Sequence, residues 1–309
     1  MNFDLGPDER ALQDAIREMC ARHFELDDLR ARGMNAERWA ALDEAGTFTL
    51  RVPEQHGGLG LGMTHTAIAF EQLGRSLVPG PVLETHLGRA RGATESVIGV
   101  VERGASTIDH LEQLDVVVVI DADGLWRVAP ADVRAEPIEP RFDPFTPQHQ
   151  IRSMPRGEKI ADPSIAATSR LEGAVLTAAF LVGIAAETTD LAVAYAQQRQ
   201  QFGRPIGAFQ AVKHLCADMA VRGEVARAAV YAAACLLDEE AGTAARATAG
   251  AKLLANEAAV ANAKAAIQVH GGMGYTWEMP LHLYLKRAAV LAARFGTTHE
   301  HEEAVAATL

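Results

Sequence analysis

The sequence has little cysteine and no excess of positive charge. Cysteine occurs only at Cys20, Cys216 and Cys235 among 309 residues. This spacing excludes a disulfide framework and a cysteine-based zinc site, and it predicts reduced, buried thiols. The 29 basic and 40 acidic residues give a formal charge of −11, which does not suit a nucleic-acid backbone. We therefore expect no nucleic-acid partner.

The sequence also shows neither the pattern of a secretory leader at its first residues nor a long apolar run. The first residues, MNFDLGPDERALQD, lack a basic start followed by an apolar stretch. No window approaches the roughly 18 uninterrupted apolar residues that indicate a membrane span. We expect a cytoplasmic protein without a membrane span.

Several common enzyme motifs are absent. The VVVVI run at 116–120 is not followed by GxGxxG, and GGLGLG at 57–62 lacks the Lys-Ser or Lys-Thr of a phosphate-binding loop. GxSxG does not occur, and HEH at 299–301 is not HExxH. The sequence therefore favours neither hydrolase nor metalloenzyme chemistry, and we predict no metal site.

Apolar spacing predicts helices in the first 90 or so residues. Leu12, Ile16, Cys20 and Phe24 recur at every fourth position, as on one face of a helix over 8–24. Further helices are predicted near 37–45 and 64–77, the latter behind the glycine-rich loop VPEQHGGLGLGM.

The pattern then changes twice. From 96 to 163, VVVVI, turn residues and repeated prolines predict short strands and loops. From 164 to 290, small apolar residues at helical spacing predict three or four long helices packed as a bundle, broken at 203–208 and 271–280. We predict a mainly α fold with a small β middle domain, and domains at 1–92, 93–163 and 164–309.

The two helix breaks carry unusual side chains. In RQQFGRPIGAFQ at 199–210, Arg199 offers a fork of donors suited to a pyrophosphate and Phe202 a flat apolar surface. In QVHGGMGYTWE at 268–278, paired glycines would let backbone amides approach an anionic cofactor. A plain helix–turn–helix explains either segment alone, and the two together favour a cofactor site.

These segments carry a resemblance to the acyl-CoA dehydrogenase superfamily over essentially the whole chain. VPEQHGGLGLG and FEQLGRS resemble its N-terminal domain, and AYAQQRQQFGRPIGAFQAVKHLCADMA and IQVHGGMGYTWEMPLHLYLKRA resemble its C-terminal domain. The resemblance implies a helical N-terminal domain, a β middle domain and a C-terminal four-helix bundle.

The resemblance also implies an FAD cofactor between the β domain and the bundle, with its adenosine diphosphate half reaching the bundle of a neighbouring subunit. It implies that the residues donated across this interface fall into three groups. These are Arg199, Phe202 and Gln210 at the diphosphate and adenosine, Gln268, Val269, His270, Gly271 and Gly272 at the same cofactor, and Thr297, Thr298 and His299 at the adenine end.

The sequence departs from the family at the residues that would perform the chemistry. The β-domain signature resembling TEPxAGSD is missing, and the middle segment is short. The family's catalytic glutamate precedes the final Gly-Thr, where this chain has Phe295, or lies on the first bundle helix, where alignment gives Gly173. Neither side chain accepts a proton. Glu172 lies one residue away and would face another direction on a regular helix, so it is a weak candidate for a displaced base.

This combination resembles one chain of the heteromeric α2β2 acyl-CoA dehydrogenases of actinobacterial steroid catabolism. The resemblance implies a full-length partner subunit that brings the base and most of the FAD pocket. It also implies a CoA thioester substrate such as a sterol side chain, and an electron acceptor similar to electron-transfer flavoprotein. Two alternatives stay open, namely a self-sufficient dehydrogenase that uses Glu172 and a non-catalytic scaffold that keeps the bundle for oligomerisation.

Overall fold

A computed structural model of the chain describes residues 5–307, which form a helical region, a β region and a second helical region. The first region contains α1 (Pro7–His23), α2 (Leu26–Arg32), α3 (Ala36–Glu44), α4 (Met63–Arg75) and α5 (Val82–Ala90). The predicted helices over 8–24, 37–45 and 64–77 are confirmed within two residues at each end. The sequence patterns did not predict α2 and α5.

Three of the four apolar residues that recur every four positions along α1 are buried, as expected for one face of an amphipathic helix. Ile16, Cys20 and Phe24 are buried in the main core. All three cysteines are free, but only Cys20 is fully buried, and Cys216 and Cys235 are half-buried. The expectation of buried thiols was therefore wrong for the two cysteines on the bundle, whose helix has a solvent-facing side.

The glycine-rich loop is bound to the bundle at its last residues, where α4 begins. Asp238 accepts hydrogen bonds from the backbone N–H groups of Met63 and Thr64, at 2.6 and 3.1 Å. A side chain on Gly62 would collide with the same carboxylate. The N-terminus of α4, which could otherwise attract an anion, is thus already satisfied by Asp238.

The β region contains two small sheets. The first has the strand order β1 (Ile98–Glu102), β3 (Val116–Asp121), β4 (Gly124–Val128) and β7 (Glu158–Ala161). In it β1 and β3 are parallel, with Ile98 opposite Val116, and the other pairs are antiparallel. The second sheet is antiparallel, in the order β2 (Thr107–Asp109), β6 (Gln148–Ser153) and β5 (Arg134–Pro137).

The last region is the helical bundle. It contains α6 (Pro163–Gln198), α7 (Gln210–Asp238), α8 (Ala244–His270), α9 (Leu281–Ala292) and α10 (Thr298–Ala306), and a short hairpin of β8 (Gln200–Gln201) and β9 (Arg204–Pro205) joins α6 to α7. Both predicted helix breaks are confirmed. The helices α6 to α9 pack together as a four-helix bundle, with α4 lying against α6.

Glycine permits the close contact between α4 and α6. A Cβ atom on Gly74 would lie 2.0 Å from the carbonyl oxygen of Phe180, and one on Gly183 would lie 2.0 Å from that of Glu71. Among the described residues, α6 is the one helix long and apolar enough to cross a membrane, and 83% of its most apolar window is buried inside the protein. Here it is the central helix of the core.

Candidate active site and cofactor surface

A cleft of about 580 Å³ lies between the β region and the turn that joins α9 to α10. One wall is formed by β1 and the loop after it, including Arg103 and Ser106, and the other by Arg294, Phe295 and Thr297. Arg294 forms an ion pair with Asp109 across the back of this turn. The cleft therefore separates the strands from the helices at the place where the resemblance puts a flavin.

Phe295 lines this cleft and packs on Gly173, and the resemblance places the family's base at these two positions. Phe295 is 4% exposed, and its Cε1 atom lies 2.4 Å from where a Cβ atom on Gly173 would be. Real Cβ contacts are never this short, so the ring occupies the space that only glycine leaves free. Both positions lie together, and neither supplies a proton acceptor.

Phe295 is held in an uncommon backbone conformation. Its φ angle is +54°, and that of the following Gly296 is +107°. A bulky residue in the left-handed region costs on the order of 1–3 kcal/mol and persists only where its surroundings fix it. The packing of the ring against Gly173 supplies part of this constraint.

A buried lysine supports the same turn from α8. Lys252 is 0% exposed, and its Nζ donates to the backbone oxygens of Leu291 and Ala292, at 3.2 and 3.0 Å, and to Oδ1 of Asn256 at 2.9 Å. It thereby caps the last turn of α9. Burial lowers the pKa of Lys252 to about 7.

Glu172 lies beside Gly173 but is held by two arginines. It is 2% exposed, and its two carboxylate oxygens lie 2.9 Å from Arg51 Nη1 and 2.5 Å from Arg91 Nη2. Burial alone would raise the pKa of Glu172, but hydrogen bonds and charge from Arg51 and Arg91 outweigh it and leave the pKa below its usual value. A carboxylate paired in this way is a weak base, which argues against Glu172 as a proton acceptor.

The opposite end of the bundle presents an open surface formed by the hairpin. Arg199, Phe202 and Gln210 are all exposed, with Phe202 at 91% and φ +50°. The hairpin is fixed by a hydrogen bond of 2.8 Å from Ile206 N to Arg199 O and by Arg204, whose guanidinium lies 4.2 Å from the ring centroid of Phe209. The loop thus holds an arginine and an aromatic ring in solvent.

The glycine turn after α8 lies at the same end of the bundle as this hairpin. Gln268, Gly271 and Gly272 are exposed, and Cβ atoms on the two glycines would meet nothing within 4 Å. Val269 and His270 are buried, so their side chains point into the protein. The last turn of a packed helix has an inner face, and these two side chains lie on it.

Thr297, Thr298 and His299 begin α10 and are exposed. Thr297 N and Oγ1 donate to Glu300 Oε2 at 2.7 and 2.9 Å, and Glu300 N donates to Thr297 Oγ1, which makes a capping box. His299 pairs with Glu303 at 3.3 Å. Of the two histidines in HEH, His299 is thus exposed beside Glu303 and His301 is buried. Within residues 5–307 no cluster of metal-ligating side chains is found.

The structure brings the first two groups of predicted cofactor residues together and leaves the third apart. The hairpin and the glycine turn share one end of the bundle, whereas residues 297–299 border the cleft near Lys252, at the other end of α8. The sequence analysis missed Arg51, Arg91, Lys252 and Arg294. Arg51 and Arg91 surround Glu172 only in the folded chain. They come from separate parts of the sequence, so no local pattern indicates them.

Comparison with known proteins decides the family. The acyl-CoA dehydrogenase N-terminal domain model matches residues 6–95, and the acyl-CoA dehydrogenase C-terminal domain model matches residues 165–309. The chain belongs to the acyl-CoA dehydrogenase family. It is 36% identical over 303 residues to acyl-CoA dehydrogenase IpdE2 from Mycobacterium tuberculosis, with 91% of each protein covered. FAD is the cofactor of this family of oxidoreductases.

Solved structures share the acyl-CoA dehydrogenase fold with this chain. The ChsE4-ChsE5 complex from Mycobacterium tuberculosis matches with a TM-score of 0.85 and 20% identity, covering 99% of this chain and 98% of that one. A variant of the steroid ACAD Tcur3481-Tcur3483 matches with a TM-score of 0.84 and 22% identity, covering 98% of each chain. At these identities the likeness concerns the fold.

Proposed function

We propose that this chain is the accessory subunit of a heteromeric, FAD-dependent acyl-CoA dehydrogenase that oxidises the α,β bond of a CoA thioester. The contact between Phe295 and Gly173 carries the proposal. Both positions at which the family places its base are filled by a ring packed on a glycine. A chain so built needs its proton acceptor from elsewhere, and a full-length partner subunit would bring it.

Glu172 does not remedy the missing base. Its carboxylate would have to leave Arg51 and Arg91 before it could approach a substrate, and removing one member of a buried ion pair costs about 3 kcal/mol or more. This cost disfavours the self-sufficient alternative in which Glu172 is a displaced base.

The open end of the bundle suits the role of lending contacts to a cofactor. Arg199 can pair with a diphosphate, Phe202 offers a ring face, and Gly271 and Gly272 leave room for close backbone approach. Gln210 and Gln268 provide exposed carboxamides beside them. FAD, when bound, would accept the hydride from the β-carbon, while these residues hold its diphosphate and adenosine portion.

Three further points of the proposal rest on the relatives. The ChsE4-ChsE5 complex has this fold, and so does the steroid ACAD Tcur3481-Tcur3483. We infer a partner with a complete β-domain signature and glutamate base, a steroid side-chain CoA thioester as substrate, and an acceptor similar to electron-transfer flavoprotein. These assignments follow from analogy of fold.

Co-expression with a full-length acyl-CoA dehydrogenase encoded nearby tests the proposal. We expect a yellow complex that oxidises acyl-CoA and carries one FAD for each pair of unlike chains, whereas the chain made alone should be colourless. Flavin content, subunit stoichiometry and dye-linked oxidation of the thioester would be measured. A flavin-loaded, active homo-oligomer of this chain alone would refute the proposal.

A further inference from the structure

A pair of stacked rings joins the hairpin to the glycine turn. The rings of Tyr195 and His270 have centroids 4.0 Å apart and an interplanar angle of 21°. Tyr195 lies in the last turn of α6, directly before the hairpin, and His270 is the final residue of α8, directly before Gly271. The stack therefore connects two segments that follow different helices.

Tyr195 and His270 also form hydrogen bonds at the ends of their own helices. Arg199 N donates to the backbone oxygen of Tyr195 at 2.9 Å, which ends α6 at Arg199. His270 Nδ1 lies 2.8 Å from the backbone oxygen of Ala266, and His270 is 4% exposed. A displacement of either helix end would therefore move Arg199 or the glycines that follow His270.

The surroundings of the stack are apolar. Tyr195 packs against a small cluster that includes Ala192, Ala196, Ile267 and Val269. Burial lowers the pKa of His270, so its imidazole is neutral at physiological pH and packs as an uncharged ring. Stacking between neutral rings supplies attraction beyond area burial and fixes the relative orientation of their helices.

We propose that Tyr195 and His270 are positioning residues that lock the hairpin and the glycine turn into one cofactor-binding unit. The sequence indicated His270 as a cofactor contact. In this proposal His270 acts on the cofactor-binding residues indirectly, through its contact with the ring of Tyr195. The inference rests on the proposed function for the cofactor it serves, but the coupling between the two segments can be measured without that cofactor.

Hydrogen exchange measured by mass spectrometry tests the coupling in the co-purified complex after removal of FAD. Tyr195→Leu should speed amide exchange about fivefold in both 199–206 and 268–275, because an aromatic pair contributes roughly this factor. His270→Leu should also loosen the hairpin, which follows a different helix. Tyr195→Phe keeps a ring and should behave as wild type, and Gln197→Ala, on the exposed side of the same turn of α6, is the matched control.

A second measurement is the dissociation constant of FAD in the reconstituted complex. We expect it to rise about fivefold in Tyr195→Leu and to stay unchanged in Tyr195→Phe. If Arg199→Ala weakens FAD binding and Tyr195→Leu does not, the positioning role is wrong while the proposed function survives. If exchange in 268–275 is unaffected by Tyr195→Leu, the coupling itself is refuted, whatever happens to FAD.

Discussion

The two ends of the bundle have opposite characters. At one end Phe295 is buried on Gly173, with Glu172 and Lys252 buried around it. At the other end Phe202 stands in solvent beside exposed Arg199, Gly271 and Gly272. In both places an aromatic residue has a positive φ angle. One strained ring packs on Gly173 in the protein interior, at what we call the closed end, and the other is presented to solvent at the open end.

The largest effect is expected from Glu172→Gln at the closed end. The substitution keeps the volume but leaves Arg51 and Arg91 without a carboxylate, so the free energy of unfolding should fall by about 3 kcal/mol. Denaturant unfolding measures it, with exposed Glu257→Gln as control. Unchanged stability together with abolished turnover would instead favour Glu172 as the base.

Gly173→Ala should be the next most damaging change. The new methyl group would collide with the Phe295 ring, and overpacking of this kind costs about 2 kcal/mol. The loss should shrink when Phe295→Leu is added, because the two residues share one space. Gly250→Ala, where a Cβ atom meets nothing within 4 Å on α8, should be neutral or stabilising. Equal losses at 173 and 250 would contradict the closed-site description.

Lys252 gives the closed end a dependence on pH. Its pKa of about 7 in the folded chain lies below the roughly 10.4 of an unfolded chain, so between these values the unfolded state binds more protons. The free energy of unfolding should therefore increase with pH between these two values, by up to about 1.4 kcal/mol per pH unit. Melting temperatures would be measured from pH 7 to 10. The melting temperature of the wild type should rise more steeply with pH than that of Lys252→Met, and equal slopes would contradict the prediction.

Arg199→Ala tests the open end. Loss of a charge-assisted contact to the diphosphate should weaken FAD binding in the complex about tenfold while stability stays the same. Fluorescence titration of the apo complex with FAD measures it, and exposed Arg246→Ala on α8 is the control. Flavin content that does not respond to Arg199→Ala would favour the scaffold alternative.

Only a small effect on stability is expected from Phe202→Gly. The ring is 91% exposed, so little packing is lost, and glycine relieves the positive φ angle at the cost of a more flexible hairpin. The free energy of unfolding should change by less than about 0.5 kcal/mol, although FAD binding should weaken. A large loss of stability would show that the ring packs in solution and that the end is less open than described.

Local patterns predicted most of the fold because the relevant physics acts over a few residues. The sequence patterns predicted the helix that carries Ile16, Cys20 and Phe24, the VVVVI strand, and the helix breaks marked by glycine and proline. The resemblance indicated which positions lack a base. The packing of Phe295 on Gly173, the arginines around Glu172 and the Tyr195–His270 stack join residues distant in sequence, and no local pattern encodes such contacts.

The length of α6 limits what Arg199 can reach. The helix runs without a break from Gly173, which packs on Phe295 at the edge of the cleft, to Gln198, beside the hairpin. At 1.5 Å per residue these points are about 38 Å apart. The helix is rigid over this length, so Arg199 cannot reach the cleft of its own chain. A group that Arg199 contacts directly therefore lies outside that cleft.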